Sequence, residues 1–293
     1  MTQPAVTFQI KQLEEQYSTR LFERGHGRVG LTPAGQIVFD YAERILALST
    51  ELDTRLKEMT GRLSGPLLIG ASTTIAEFML PRVLGEFKAR YPEVQARLFV
   101  ANSETVESRV GEHTIDVGMI EAPSHLPSLL TEPCCEDELQ VVVSPGHPLA
   151  RLKSVAPRQL LQHSFISREE GSGTREFTDL YLRQAGIRRE DLKIEMELGS
   201  PEALKGVVAS GAGFAILSLL AVAKEQKLGE LVAIPLQPRL IRTLSLVYPR
   251  EKFRSRLVTT FVEFTKQKLR DRANDFDATA HGPNTHRRTA PQS

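Results

Sequence analysis

The chain has 293 residues, 41% of them hydrophobic and 25% charged, with 37 Lys/Arg against 36 Asp/Glu and a formal net charge of +1. That length accommodates two or more domains with cores of their own, and the near-neutral balance excludes a broadly basic nucleic-acid coat. No apolar run is long enough to span a bilayer, no signal peptide is present, and two adjacent cysteines, Cys134 and Cys135, cannot build a disulfide framework, so a cytoplasmic protein without membrane attachment is expected.

Thr2 has the chemistry of a helix cap, and Pro4 falls in the first turn, where its missing N–H costs nothing. Val6, Ile10 and Leu13 then recur at i, i+4 and i+7, one apolar face of a short amphipathic helix. Gln3, Thr7 and Lys11 occupy another face, again four apart. Amide, hydroxyl and ammonium groups presented from the first turns of a helix suit base edges and phosphates in a major groove. Leu21–Arg24 and Val29–Leu31 flank Gly25-His26-Gly27-Arg28, a hairpin with a glycine turn and a basic tip that suits a minor groove. Residues 1–35 carry four Lys/Arg against three Glu, so DNA affinity must come from placement and from pairing two copies.

Thr32-Pro33 starts the next helix. Tyr41, Ile45, Leu48, Leu52, Leu56, Met59 and Leu63 are spaced as a heptad-like seam with one four-residue stutter, interleaved with charges. The spacing predicts a coiled-coil linker helix over 34–63 that pairs two chains; a helix lying on the next domain is the alternative. Ser64-Gly65-Pro66 ends it.

From Leu67 short apolar runs alternate with amphipathic helices. Strands are expected at Leu67–Gly70, Gln95–Val100, Asp116–Ile120 and Leu139–Ser144, with helices at Phe78–Tyr91 and Glu104–Glu112. Pro145-Gly146-His147-Pro148 reads as a hinge. A second set has strands at Phe165–Ser167, Ile194–Leu198 and Phe214–Leu217, with helices at Arg175–Gln184, Pro201–Ala209 and Leu219–Gln226. A strand at Thr243–Tyr248 and a helix at Ser255–Leu269 return to the first set. The alternation implies an α/β fold with a parallel sheet covered by helices. Two lobes follow, 66–145 with 240–271 and 146–239, joined by two crossovers. The polar residues 272–293 are expected to be disordered.

Four strand-to-helix turns carry small polar residues: Ser72-Thr73-Thr74, Asn102-Ser103, Gly171-Ser172-Gly173-Thr174 and Ser200-Pro201-Glu202. Each alone reads as a helix cap. Together, at the carboxyl ends of strands in an open α/β sheet, they suit a compact anion held by hydroxyls and backbone N–H groups, with Arg175, Arg239 and Arg242 as candidate cations. An enzyme is not expected. Glu169-Glu170 is a solvated pair, Gly171-Ser172-Gly173 lacks the lysine of a phosphate loop, no G-x-S-x-G occurs, and the seven histidines show no metal-ligand spacing. The Cys134-Cys135 pair reads as buried packing before redox chemistry.

The string TQPAVTFQIKQLEE…RLFERGHGRVGLTPAGQ resembles the second half of the winged helix-turn-helix of LysR-type transcriptional regulators. ASTTIAEFMLP, DVGMIEAP, EDELQVVVSPGHPL, REEGSGTRE and MELGSPEALKGVV are similar to their effector domains, most of all to a branch governing sulfur assimilation, sulfite response or carbon dioxide fixation. The resemblance implies a partial winged helix-turn-helix over 1–33, truncated within the motif, followed by the linker helix and a two-lobed effector domain like the periplasmic binding proteins. It implies a ligand-responsive regulator that binds double-stranded operator DNA as a homodimer or homotetramer. The implied DNA-binding residues are Thr2, Gln3, Pro4, Thr7, Lys11 and Arg28. A small anionic effector, and no cofactor or metal, is implied at Ser72, Thr73, Thr74, Ser103, Gly173 and Thr174. The alternative is an anion-binding sensor module that lacks DNA affinity because its head is incomplete.

Overall fold

The computed structural model describes residues 3–25, 28–58, 63–250 and 255–280. They fall into two compact units, 1–60 and 61–293.

In the first unit, helix α1 (Gln3–Gln16) is followed by strands β1 (Phe22–Gly25) and β2 (Arg28–Leu31), which pair antiparallel with Phe22 opposite Leu31 and Gly25 opposite Arg28. The glycine turn His26-Gly27 lies outside the described residues. Glu14 links α1 to the hairpin, its carboxylate accepting the Leu21 N–H at 2.8 Å. Helix α2 (Pro33–Glu58) begins where the sequence places it: the Thr32 hydroxyl accepts the Gly35 N–H at 3.0 Å and donates to the Arg20 carbonyl at 2.6 Å. Gly35 is required here, because a Cβ would lie 1.9 Å from the Leu21 carbonyl oxygen.

This unit buries little by itself. No side chain of α1 is buried, and Val6, Phe8 and Leu13 are all exposed. On α2 the seam residues Tyr41, Ile45, Leu48 and Leu52 stand 57–64% exposed. Leu56 and Met59 lie outside the described side chains. Leu63 departs from the seam: it packs against the first core of the second unit.

The second unit is built on one six-stranded sheet in the order β4-β3-β5-β10-β6-β9. Strands β3 (Gly65–Ser72), β4 (Val94–Ala101) and β5 (Val117–Ile120) are parallel, connected by helices α3 (Thr73–Phe78), α4 (Leu80–Arg90) and α5 (Ser103–Gly111). Strand β6 (Leu129–Val143) and the later β10 (Val232–Pro249) run antiparallel to each other over almost their whole length. Between them in sequence come β7 (Ser164–Arg168), α6 (Gly173–Gln184), β8 (Lys193–Leu198), α7 (Pro201–Ala209), β9 (Ala215–Ser218) and α8 (Leu219–Leu228). β7 and β8 form a separate parallel pair, bridged to the strand-9 segment at Phe165 and Phe214. Helix α9 (Arg256–Ala280) closes the chain against the first core.

Several sequence expectations change. The sheet is mixed rather than parallel, because the long antiparallel pair β6–β10 runs through it. These strands are themselves the crossovers. Cys134, Leu244 and Leu246 pack in the first core with Leu67, Ile69 and Phe261, whereas Leu139, Val141 and Leu240 pack in the second with Phe165 and Phe214. The change of core therefore falls between Cys134 and Leu139, ahead of the expected hinge at Pro145–Pro148. That segment is instead a turn leading into a 3-10 helix whose Leu149 belongs to the second core. Helical structure also starts earlier than Phe78, at Thr73, with a break at Met79. Helix α9 continues to Ala280, past the expected start of the tail at 272, since no Pro or Gly interrupts 256–280. Residues 281–293 lie outside the described residues.

Candidate functional site

The neck between the two lobes holds charges. In β10 the buried positions alternate, Leu240, Arg242 and Leu244, so Arg242 occupies a core-facing place in a strand. It stands directly opposite Asp137 of β6. Its Nε donates to Asp137 Oδ2 at 2.8 Å, and Nη2 lies 2.7 Å from the same oxygen. Ser218, capping α8, donates to the other Asp137 oxygen at 2.6 Å. From the same guanidinium, Nη1 donates to Glu121 Oε2 at 2.7 Å and to Thr174 Oγ1 at 2.9 Å. Arg242 is 0% exposed and its two carboxylate partners 1–2%. Removing three ions from water is expensive and is sustained only by such short, multiple contacts.

Most of the hydroxyls predicted to hold an anion converge on Glu121, which directly follows β5. Ser72, ending β3, donates to Oε1 at 2.8 Å, and Thr174, in the first turn of α6, donates to Oε2 at 3.0 Å. Thr74, buried in the first turn of α3, lies near enough for its hydroxyl to favour the ionised form of the same carboxyl. Ser103, at the start of α5, accepts the Glu121 backbone N–H at 3.2 Å. Gly173 lets α6 come close: a Cβ there would lie 2.8 Å from Glu121 Cβ. These hydroxyls are not ordinary caps. Ser72, Ser172 and Ser200 make no side-chain cap bond to their helices, whereas Asn102 caps α5 through the Thr105 N–H at 2.9 Å.

Burial by itself raises the pKa of the Glu121 carboxyl, but the Arg242 charge and the Thr74 and Ser72 hydroxyls outweigh it and hold the group below the usual carboxylate range. Asp137 goes the other way: burial pushes it up, and Arg242 opposes that only in part.

Beside this cluster lies Arg168, ending β7 and 3% exposed. Its Nε and Nη2 fork onto Glu169 at 2.8 and 3.0 Å, and Nη2 also reaches Thr73 Oγ1 at 3.0 Å and the Gly199 carbonyl at 3.4 Å. Thr73 belongs to the first lobe and Arg168 to the second, so the contact spans the cleft. Among the described residues, five buried side-chain atoms have no hydrogen-bond partner: Glu225 Oε2 and Thr265 Oγ1 elsewhere, Arg242 Nη2, which still lies within ion-pair distance of Asp137, and here Arg168 Nη1 and Ser172 Oγ. The Asn102 amide and the Glu104 N–H add interlobe bonds to the carbonyls of Glu170 (3.1 Å) and Gly171 (3.3 Å).

Of the three candidate arginines, Arg242 alone lines this cluster. Arg175 pairs with Asp179 and Glu197, and Arg239 pairs with Glu138 at the surface. Glu121, Asp137 and Arg168 were not anticipated. For Glu121 and Arg168 a signal existed: each is a charged residue closing an apolar strand at its carboxyl end, where ligands meet open α/β sheets. Cys134 is buried in the first core beside half-buried Cys135, as packing residues are. No cluster with the composition of a metal site occurs among the described residues.

In the other unit, Gln3, Pro4, Thr7 and Lys11 lie together with Phe8 along an open surface groove of about 400 Å³. The Thr7 hydroxyl donates back to the Gln3 carbonyl at 3.0 Å. Arg28 stands in β2 opposite Gly25. Thr2 lies outside the described residues.

Comparison with known proteins now adds to this geometry. Residues 60–270 match the LysR substrate binding domain, and residues 1–36 match the bacterial regulatory helix-turn-helix of the lysR family. The chain belongs to the LysR family of transcriptional regulators. It is 38% identical over 267 residues to a probable RuBisCO transcriptional regulator of Cyanidioschyzon merolae, covering 90% of this chain and 88% of that protein. The solved regulatory domain of Synechocystis CcmR, in complex with 2-PG, is 28% identical and covers 71% of this chain and 99% of that one, with a TM-score of 0.65. Full-length OxyR of Pseudomonas aeruginosa shares the fold over 92% of this chain and 86% of its own, at 22% identity and a TM-score of 0.70.

This LysR-family protein is therefore a ligand-responsive, DNA-binding transcription regulator and not an enzyme. A sensor module without DNA binding is not favoured, because the helix-turn-helix model matches residues 1–36. Among the described residues, no helix is long and apolar enough to cross a membrane.

Proposed function

We propose that the cleft between the lobes takes a small, phosphorylated carboxylate or a comparable oxyanion, and that this ligand sets the DNA-binding state. One observation carries the reading. Donors from both lobes converge at the carboxyl ends of β3, β5 and β7, and two of them, Arg168 Nη1 and Ser172 Oγ, are buried without partners. Buried donors are almost always satisfied, so these two favour a ligand that completes them. Arginine with hydroxyl and backbone donors is the usual equipment for phosphate and carboxylate. The 2-PG bound by CcmR supports that ligand class, 2-phosphoglycolate being a phosphorylated carboxylate. The names of the relatives favour the carbon-fixation branch over the sulfur branches, so RuBisCO genes are the first targets to examine.

The effector residues in this reading are Ser72, Thr73, Thr74, Ser103, Gly173 and Thr174, joined by Arg168. Two chains pair along the exposed apolar seam of α2, in the cytoplasm, as a homodimer or a dimer of dimers. Each pair places two α1 helices on operator half-sites. Gln3 and Thr7 read base edges, while Lys11, Arg28 and the start of the helix at Thr2 and Pro4 meet phosphates. The anion acts by differential affinity for two arrangements of the lobes.

Thermal unfolding with 2-phosphoglycolate tests the cleft. Ligand at a hundred times its Kd adds about 2.7 kcal/mol of stability by mass action. Thr74→Ala and Thr174→Ala are expected to lose most of that gain, and an unchanged gain in both variants removes the site assignment. A gel shift with a RuBisCO promoter fragment, with and without the same compound, tests the coupling to DNA.

A further inference from the structure

We propose that the Glu121 carboxylate is a tethered competitor of the effector anion: it occupies the hydroxyl donors of the cleft from within the chain, and an oxyanion binds by displacing it. The inference rests on the cleft reading above and concerns how that site is regulated.

A carboxylate offers about four lone-pair sites. Hydrogen bonds from Ser72, Thr174 and Arg242 occupy three of them on Glu121, and the nearby Thr74 hydroxyl also favours the ionised carboxyl. That is the coordination a free oxyanion would receive from the same groups, drawn from the first lobe, from the second and from the neck. The side chain therefore does within one molecule what a ligand does between lobes.

Charge makes coexistence of Glu121 and a dianion unfavourable. Among the described residues, the two buried guanidinium groups Arg168 and Arg242 are paired with three carboxylates, Glu121, Asp137 and Glu169. A dianion added to that set meets an excess of negative charge in a place screened from water, where like charges a few Å apart repel strongly. One carboxylate has to leave or take up a proton. Asp137 is fixed by its cross-strand place opposite Arg242 and by Ser218. Glu169 is joined to Arg168 through both oxygens at the cleft edge. Glu121 differs from both. It sits just beyond β5, shares the Arg242 guanidinium with Asp137 and is otherwise held by neutral hydroxyls, and its backbone is anchored separately through Ser103. Its side chain can swing away while the strand end stays in place, releasing Ser72 and Thr174 to the incoming anion.

This arrangement also gives the ligand-free protein a reason to keep its lobes together. The Glu121–Thr174 bond joins the end of β5 to the start of α6. Effector binding is then an exchange of one anion for another on the same donors, and the affinity is lowered by whatever holds Glu121 in place.

The test is binding of 2-phosphoglycolate and of sulfate to the full chain by titration calorimetry, for the wild type and for Glu121→Gln and Glu121→Asp. Removing the competing charge is expected to tighten binding of either probe about tenfold or more. Glu121→Asp keeps the charge but draws it back from the hydroxyls, and is expected to fall between the wild type and the glutamine variant. If Glu121 instead serves to orient Arg242 and the hydroxyls for the ligand, Glu121→Gln binds equally or more weakly, and the proposal is overturned. Should Glu121→Gln fail to fold by circular dichroism, Glu121→Asp decides alone: tighter binding supports the proposal, and equal or weaker binding overturns it. Binding by the variants when none is detected for the wild type also supports it. No binding of either probe by any of the three chains overturns the cleft reading, and this proposal with it.

Discussion

The two units depart from ordinary folding in opposite directions. In the first, large apolar side chains face outward: Ile37, Tyr41, Ile45, Leu48 and Leu52 on α2 are all more than half exposed. In the second, charges face inward, with Arg242, Glu121, Asp137 and Arg168 each 4% exposed or less. A single chain gains nothing from either choice. Exposed apolar seams are settled by another apolar surface, and the heptad-like spacing favours a second copy of the same helix. Buried charge is settled by close pairing and by ligands with complementary donors and acceptors. On the reading proposed above, one polypeptide holds two kinds of recognition, one for a large dry surface and one for a small charged molecule.

That contrast can be broken from either side. The largest effect is expected in the second unit. Arg242→Met leaves Glu121 and Asp137 as uncompensated buried carboxylates and should cost about 3–5 kcal/mol in urea unfolding. A loss below about 1 kcal/mol would show that water or a rearranged side chain already compensates these groups. In the first unit, Ile45→Glu with Leu52→Glu places four like charges on the seam of a pair. Losing two apolar side chains per helix, each worth about 1.5–3 kcal/mol when fully buried, should raise the dimer dissociation constant at least about a hundredfold. Sedimentation that still shows a dimer would move the interface off α2. The double variant should leave the folding of the second unit untouched. A smaller effect is expected from Thr32→Ala, which removes the cap of α2 and the tie to Arg20. It should cost about 1 kcal/mol, read as earlier melting of helical circular dichroism.

Much of this was legible in the sequence where one physical signal dominated. Thr32-Pro33 announced the start of α2, the glycines between two short apolar runs announced the hairpin, and small polar residues at strand ends announced the cleft. What stayed hidden was long-range pairing. β6 carries Pro133, a pair of cysteines and Glu136-Asp137-Glu138 before its apolar end, and β10 carries Pro235 and Pro238. Both strands shift register, between Pro235 and Leu240 and between Leu244 and Ser245, and both serve more than two hydrophobic clusters. Neither therefore keeps one alternation from end to end, and only the apolar fragments read as strands. In the cleft, the hydroxyls could be found from local chemistry, but their partner could not. Glu121 lies 49 residues from Ser72 and 53 from Thr174, and an isolated glutamate after a strand carries no mark of burial.

The joint at Gly35 carries a mechanical consequence. With the Leu21 carbonyl seated where a Cβ would be, and Thr32 hooked to Arg20, the base of the hairpin and the first turn of α2 have no play between them. Twenty-six helical residues make a stiff rod about 39 Å long. A tilt of a few degrees applied at the Glu58 end arrives at the hairpin as a sweep of several Å, undiminished by any soft coupling along the way. A tilt passed along such a joint would turn the hairpin as one piece, like the bit of a key, rather than reshape it.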